Sequence, residues 1–157
     1  MGILINIIKS IISSVKEDSK PQQQQPVRPV VPERTDEEWK AYFREILITD
    51  FAQFSFREDV PVQDIVGYAN DEFKLYVDRP KQAYKAEWGQ PYNFVLETPS
   101  GIKGVVMIGK GHCHEINVKY LIARMYAKKM GIPYIYFYTQ LPNKKDYVVN
   151  RIYKFLN

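Results

Sequence analysis

PYNFVLETPSGIKGVVMIGK, residues 91–110, decides the fold. Residues 92–97 are a short apolar run of strand formers, and 98–101 (TPSG) carry a turn signal. Residues 102–109 form a second run, rich in Val and Ile. The two runs are close enough in sequence to pair as an antiparallel hairpin. Downstream, a loop (KGHCHE, 110–115) leads into a helix predicted over 117–130. Val118, Leu121, Ile122 and Met125 are expected on its buried face, and Gly131 closes it as a C-cap. IPYIYFY (132–138) is a third apolar strand, and after LPN, Asn143 is expected to cap a last helix carrying Val148, Ile152, Tyr153 and Leu156. Strand, helix, strand implies a parallel pair joined by a right-handed crossover.

Upstream, Thr35 followed by Glu38 matches a capping box, with Asp36 and Glu37 suiting the positive helix start. Trp39, Phe43, Ile46 and Leu47 then share a helix face. Phe51, Phe54 and Phe56 suggest a first strand. Between 62 and 90, VQDIVG reads as a helical turn, FKLYV as a short strand, and PKQAYKAEWG as a turn or short helix. The expected fold class is α/β: a mixed four-stranded sheet with flanking helices, in the order α-β-β-β-α-β-α, over 35–157.

Two segments precede this domain. In residues 1–16, the apolar Ile3, Leu4, Ile5, Ile7, Ile8, Ile11, Ile12 and Val15 fall opposite Asn6, Lys9, Ser10, Ser13 and Ser14 on a helix. The stretch is too short for a bilayer span, which needs roughly 20 apolar residues, and matches a secretory signal poorly. Two readings stay open: a helix lying in a membrane interface, or one packing on protein. Residues 17–34, with four consecutive Gln and several Pro, read as a disordered or extended linker.

The single cysteine, Cys113, excludes an internal disulfide and fits a reducing, cytoplasmic setting, peripheral to a membrane if residues 1–16 bind lipid. Charge is uneven. Basic residues stand against acidic ones five to three over 1–35, seven to thirteen over 36–100, and ten to two over 101–157. The basic C-terminal third is compatible with a nucleic-acid partner; complementary halves of one domain would give the same pattern.

The element order resembles that of the PD-(D/E)XK, or restriction-endonuclease-like, fold. The resemblance rests on PYNFVLE at the second core strand and GVVMIGK at the third, across a short hairpin. It implies a metal-dependent nuclease site, with Asn93 where the family's Asp stands, Ile108 where its second acid stands, and Lys110 at the lysine. Two carboxylates are what would hold Mg²⁺ or Mn²⁺ and generate the attacking hydroxide. Neither is present, so the expectation is a catalytically inactive member with no cofactor, acting as a binding module for nucleic acid or protein. Two alternatives accompany it. One is a nuclease with migrated ligands, drawing on Glu97 near the second strand's end, Glu115 at the loop-to-helix junction and Glu45 on the first helix. The other is a homo-oligomeric structural or interaction protein.

His112, Cys113, His114 and Glu115 are competent metal ligands, but a zinc site would need carboxylates or a second subunit to complete it. Loop polarity, or a phosphate contact by Lys110, His112 and His114 near a helix start, is the preferred reading over a metal site. Tyr134, Tyr136 and Tyr138 alternate along a strand and so share a face, for sheet packing or for base stacking.

Overall fold

The first helix begins where its sequence asks it to. In a computed structural model describing residues 30–66, 73–74, 83–110 and 118–156, α1 spans Asp36–Asp50. Both halves of the capping box form: the Glu38 N–H donates to Thr35 Oγ1 at 3.2 Å, and the Thr35 N–H donates to Glu38 Oε2 at 3.1 Å. Trp39, Phe43, Ile46 and Leu47 are buried, as their spacing predicts. The amphipathic segment 1–16 and linker residues 17–29 lie outside the described residues.

Phe51 and Phe54 do not open a strand. The Phe51 N–H still bonds the Leu47 carbonyl at 3.1 Å, and the Phe54 N–H bonds the Phe51 carbonyl at 3.0 Å, so the chain leaves the helix through a tight turn. β1 starts later, at Ser55–Val60. A short helix α2 follows (Val62–Val66). Two short strands, β2 (Phe73–Lys74) and β3 (Ala83–Tyr84), pair antiparallel, and Ala86–Trp88 form a 3₁₀ turn. Of the strand predicted in FKLYV, Phe73–Lys74 form one side of a small two-stranded ribbon, and 75–77 lie outside the described residues.

β4 (Tyr92–Thr98) and β5 (Gly101–Gly109) make the predicted antiparallel hairpin, with Thr98 opposite Gly101 and Phe94 opposite Val106. Helix α3 (Val118–Lys129) leads to β6 (Tyr134–Tyr138), which pairs with β5 in parallel. Helix α4 (Lys145–Leu156) ends the domain. The sheet order β1-β4-β5-β6 is the mixed four-stranded arrangement expected of the sequence.

Each face of the sheet has its own core. α1 and α4 cover Phe94, Leu96, Val106, Ile108, Ile135 and Phe137. α3 covers Val95, Val105, Met107 and Tyr136. The α3 face differs from expectation. Ile122, Ala123, Tyr126 and Ala127 are buried, whereas Leu121 and Met125 are only half-buried. Two alanines let the helix come close enough for the Tyr92 hydroxyl to donate to the Ala123 carbonyl at 2.7 Å. Close approach wins here over apolar side-chain size. Gly131 ends α3 as predicted, at φ 70°. The Gly131 N–H reaches the Lys128 carbonyl and the Ile132 N–H the Ala127 carbonyl, which is a Schellman closure.

Asp59 has φ 51°, and the kink breaks the strand's alternation. Phe56 packs on the α1 side, yet Val60 belongs to the α3 side. Glu58 and Asp59 can therefore both reach α1. Arg44 grips Glu58 with Nε and Nη2, at 3.0 and 2.7 Å from Oε1, and Lys40 pairs with Asp59.

Asn143 does not cap the last helix, which starts two residues later. It is buried at φ 50°, and its amide donates to the Tyr138 carbonyl at 2.8 Å and the Leu141 carbonyl at 3.2 Å. Arg151 Nε donates to the Tyr136 carbonyl at 3.2 Å. The residues of β6 that face β5 are odd-numbered, since Val105 donates to Pro133 and Thr139 donates to Gly109. The carbonyls of Tyr136 and Tyr138 thus point off the sheet edge, where side chains cover them. Asn143→Ala should cost about 2 kcal/mol or more, from lost hydrogen bonds and a left-handed alanine. Asn143→Gly should recover only the backbone part, and urea denaturation separates the two.

The tyrosines of β6 share a face, as alternation requires, with Tyr134 and Tyr136 stacked at 6.1 Å. Burial pushes the Tyr134 and Tyr92 hydroxyls well above the usual tyrosine range. The folded state thus holds these protons while the unfolded chain releases them from about pH 10 upward. Stability should be insensitive to these groups below pH 10 and fall above it, which an alkaline titration followed by tyrosine absorbance will show.

Candidate ligand cleft at the strand ends

β5 and β6 run parallel and end together, which brings their carboxyl ends to the same end of the sheet. Lys110 follows β5 and Thr139 follows β6; the Thr139 N–H bonds the Gly109 carbonyl at 2.9 Å and carries the ladder one step further. The amino end of α1 and the segment before it face them. Pro32, Glu33, Arg34, Thr35, Asp36, Glu38, Trp39, Lys110 and Thr139 line a cleft of about 530 Å³.

Each wall has a local cause. Trp39 is buried, and the Arg34 guanidinium lies 4.6 Å from its ring and 4.1 Å from that of Tyr42. Val31 packs against the α1-side core. Residues 31–34, read as the end of the linker, are therefore built onto the domain. Burial raises the Tyr42 hydroxyl, against the pull of Arg34 and Lys145, and the neutral phenol donates to the Asn143 carbonyl at 2.7 Å. The Tyr120 hydroxyl donates to the Ile108 carbonyl at 3.3 Å. It too is raised, first by burial and then by the negative charge of Asp36, which brings Asp36 into electrostatic range of this end of β5.

The sequence-derived site residues divide. Asn93 stands at the right end of the sheet, but its amide oxygen accepts the Ile108 N–H at 2.8 Å, just past the Phe94–Val106 pair where the β4–β5 ladder ends. Ile108 is 9% exposed and sits in the α1-side core. Lys110 is exposed in the cleft and has no ion-pair partner among the described residues.

Glu97, expected as a candidate ligand, is at the wrong end. It lies opposite Ile102 beside the hairpin turn, roughly 25 Å along the strand from Lys110 at about 3.3 Å per residue. There it accepts from Arg57 Nε at 2.8 Å. Glu45 lines a different groove, with Tyr42, Ile46, Thr49 and Lys145, and so does not join Lys110. His112, Cys113, His114 and Glu115 lie outside the described residues. Among the described residues, no three His, Cys, Asp or Glu side chains are placed to hold a metal ion.

Arg34, Asp36 and Thr139 were missed as cleft residues. The available signal was the capping box itself, since it fixes where α1 begins. Its position opposite the ends of β5 and β6 is a tertiary fact. No family model, curated protein or solved structure matches this chain.

Proposed function

We propose that this chain is a nuclease-like α/β module without cutting chemistry, which serves to bind a protein partner. The observation that carries the proposal is the fate of the two acid positions. At one, Asn93 spends its oxygen on a backbone N–H; at the other, Ile108 is packed into the core. The hairpin followed by a parallel fourth strand supports the nuclease-like resemblance in topology. It is fold analogy, and activity has to be argued from the site.

Charge placement favours protein over nucleic acid. Most basic residues of the C-terminal third are divided between helices on opposite faces of the sheet. Lys119, Arg124, Lys128 and Lys129 are on α3, Lys145, Arg151 and Lys154 are on α4, and Lys103, Lys110 and Lys144 lie outside both helices. The cleft at Lys110 is walled by carboxylates as well. Among the described residues, a polyanion would meet no single basic surface at that cleft.

Incubation of the full chain with plasmid DNA and with RNA in Mn²⁺ or Mg²⁺ tests this reading. No cleavage and no saturable metal binding are expected, with at most weak DNA binding that vanishes at moderate salt. Metal-dependent cleavage would establish the alternative of a nuclease with migrated ligands. Tight, salt-sensitive DNA binding without cleavage would replace the protein partner with nucleic acid. Residues 1–16 are proposed as the tether to a membrane surface or to the partner. Flotation of the full chain with liposomes, compared with a chain starting at Val31, distinguishes these: equal flotation ends the lipid option.

A further inference from the structure

We infer that the cleft beside Lys110 takes a short peptide segment that carries a cationic and an anionic side chain together. The inference rests on the protein-binding reading above and names the chemistry of the partner. Charges of both signs line this one cleft without neutralising each other. Glu33 and Asp36 stand on the wall made by the start of α1, and Lys110 stands at the end of β5. None of the three has an ion-pair partner among the described residues.

The other two charged residues of the cleft each have a contact within the domain, although Arg34 Nη1 is buried without a hydrogen-bond partner. The Glu38 carboxylate accepts the Thr35 N–H in the capping box. The Arg34 guanidinium lies against the rings of Trp39 and Tyr42. Among the described residues, a visitor meets the carboxylates of Glu33 and Asp36 together with the cations of Lys110 and Arg34. A phosphate chain gains Lys110 and Arg34 but faces Glu33, Asp36 and Glu38. A run of lysines gains the carboxylates but faces Lys110 and Arg34. Only a segment with both signs is attracted at both walls, and the like-charge contacts that penalise the others supply discrimination.

The walls are also held in place before binding. The capping box fixes the start of α1, and buried Trp39 anchors the residues around Arg34. Lys110 sits at the end of a strand paired on to Gly109 and Tyr138. Binding therefore orders little of the protein itself. A cleft of about 530 Å³ lies within the usual range for ligand sites.

The test is an NMR titration of the isotopically labelled full chain at constant ionic strength. Four probes are compared: end-blocked lysyl-glycyl-glutamate, its dilysyl and diglutamyl counterparts, and inorganic pyrophosphate. The mixed-charge peptide should give saturable shifts at Thr35, Lys110 and Thr139, and should bind more tightly than the other three. Lys110→Met and Asp36→Asn should each weaken it by roughly threefold to fivefold, with a retained cooperative thermal transition showing that the variants fold. Equal or tighter binding of pyrophosphate or the diglutamyl peptide would overturn the inference, as would no saturable binding or indifference to both substitutions. Its failure is separable from that of the functional proposal. DNA cleavage by the same preparation sinks the proposed function, whereas absent cleavage with absent peptide binding sinks only the peptide site.

Discussion

Ile108→Asp should unfold the domain rather than supply a metal ligand, with an expected loss of about 3–5 kcal/mol measured by urea denaturation. Position 108 belongs to the α1-side core, with neighbours such as Val106 and Phe137 in the same cluster. A carboxylate there loses hydration and gains no cation. Its pKa would rise in the folded state, so the penalty should shrink as pH falls and the group is protonated. Asn93→Asp makes the informative contrast. That side chain is only partly buried, and a carboxylate oxygen can still accept the Ile108 N–H. Its stability should stay within about 1 kcal/mol of the parent. Neither variant should bind Mn²⁺. If Ile108→Asp folds normally and binds the ion, the site is a dormant nuclease centre and the binding-module proposal fails.

Phe43→Ala should cost about 3–5 kcal/mol. The ring is fully buried, 4.9 Å from Phe137 on β6 and 5.7 Å from Tyr42. It is the point at which α1 is fastened to the parallel strand pair, so its loss should also loosen the wall that carries Thr35 and Asp36. The measurements are the urea midpoint and the fluorescence of Trp39, whose ring lies 6.3 Å from that of Phe43. Ile48→Ala serves as the control, because Ile48 is on the same helix but 59% exposed. It should change stability by less than about 0.5 kcal/mol.

What could be read from the sequence was what local chemistry decides. The capping box at Thr35, the hairpin about 98–101 and the glycine closure at Gly131 each need only neighbouring residues, and each formed. The displaced features depend on distant partners. Phe51 looks like a strand residue by composition, but it is buried beside Tyr153 of α4, with ring centroids 4.6 Å apart. Asn143 looks like a helix cap, but the orphan carbonyls of a strand edge claim its amide. The face of α3 was misjudged because hydrophobic ranking favours Leu121 and Met125, while the sheet selects the small residues that permit contact. For the cleft, Lys110 was legible by position and Arg34 was hidden in a proline-rich stretch. Glu97 was misplaced as a candidate although the hairpin contains the answer: a residue beside the turn is at the opposite end from the strand's exit.

The covered carbonyls of Tyr136 and Tyr138 bear on how this molecule can join others. A strand arriving at β6 would find Arg151 and Asn143 already occupying the acceptors it needs for main-chain pairing. It would have to displace two side chains, one of them buried, before making its first bonds. The four-stranded sheet is therefore closed to main-chain pairing on its β6 side. Growth by strand addition, whether in a specific complex or in misassembly, is blocked at β6.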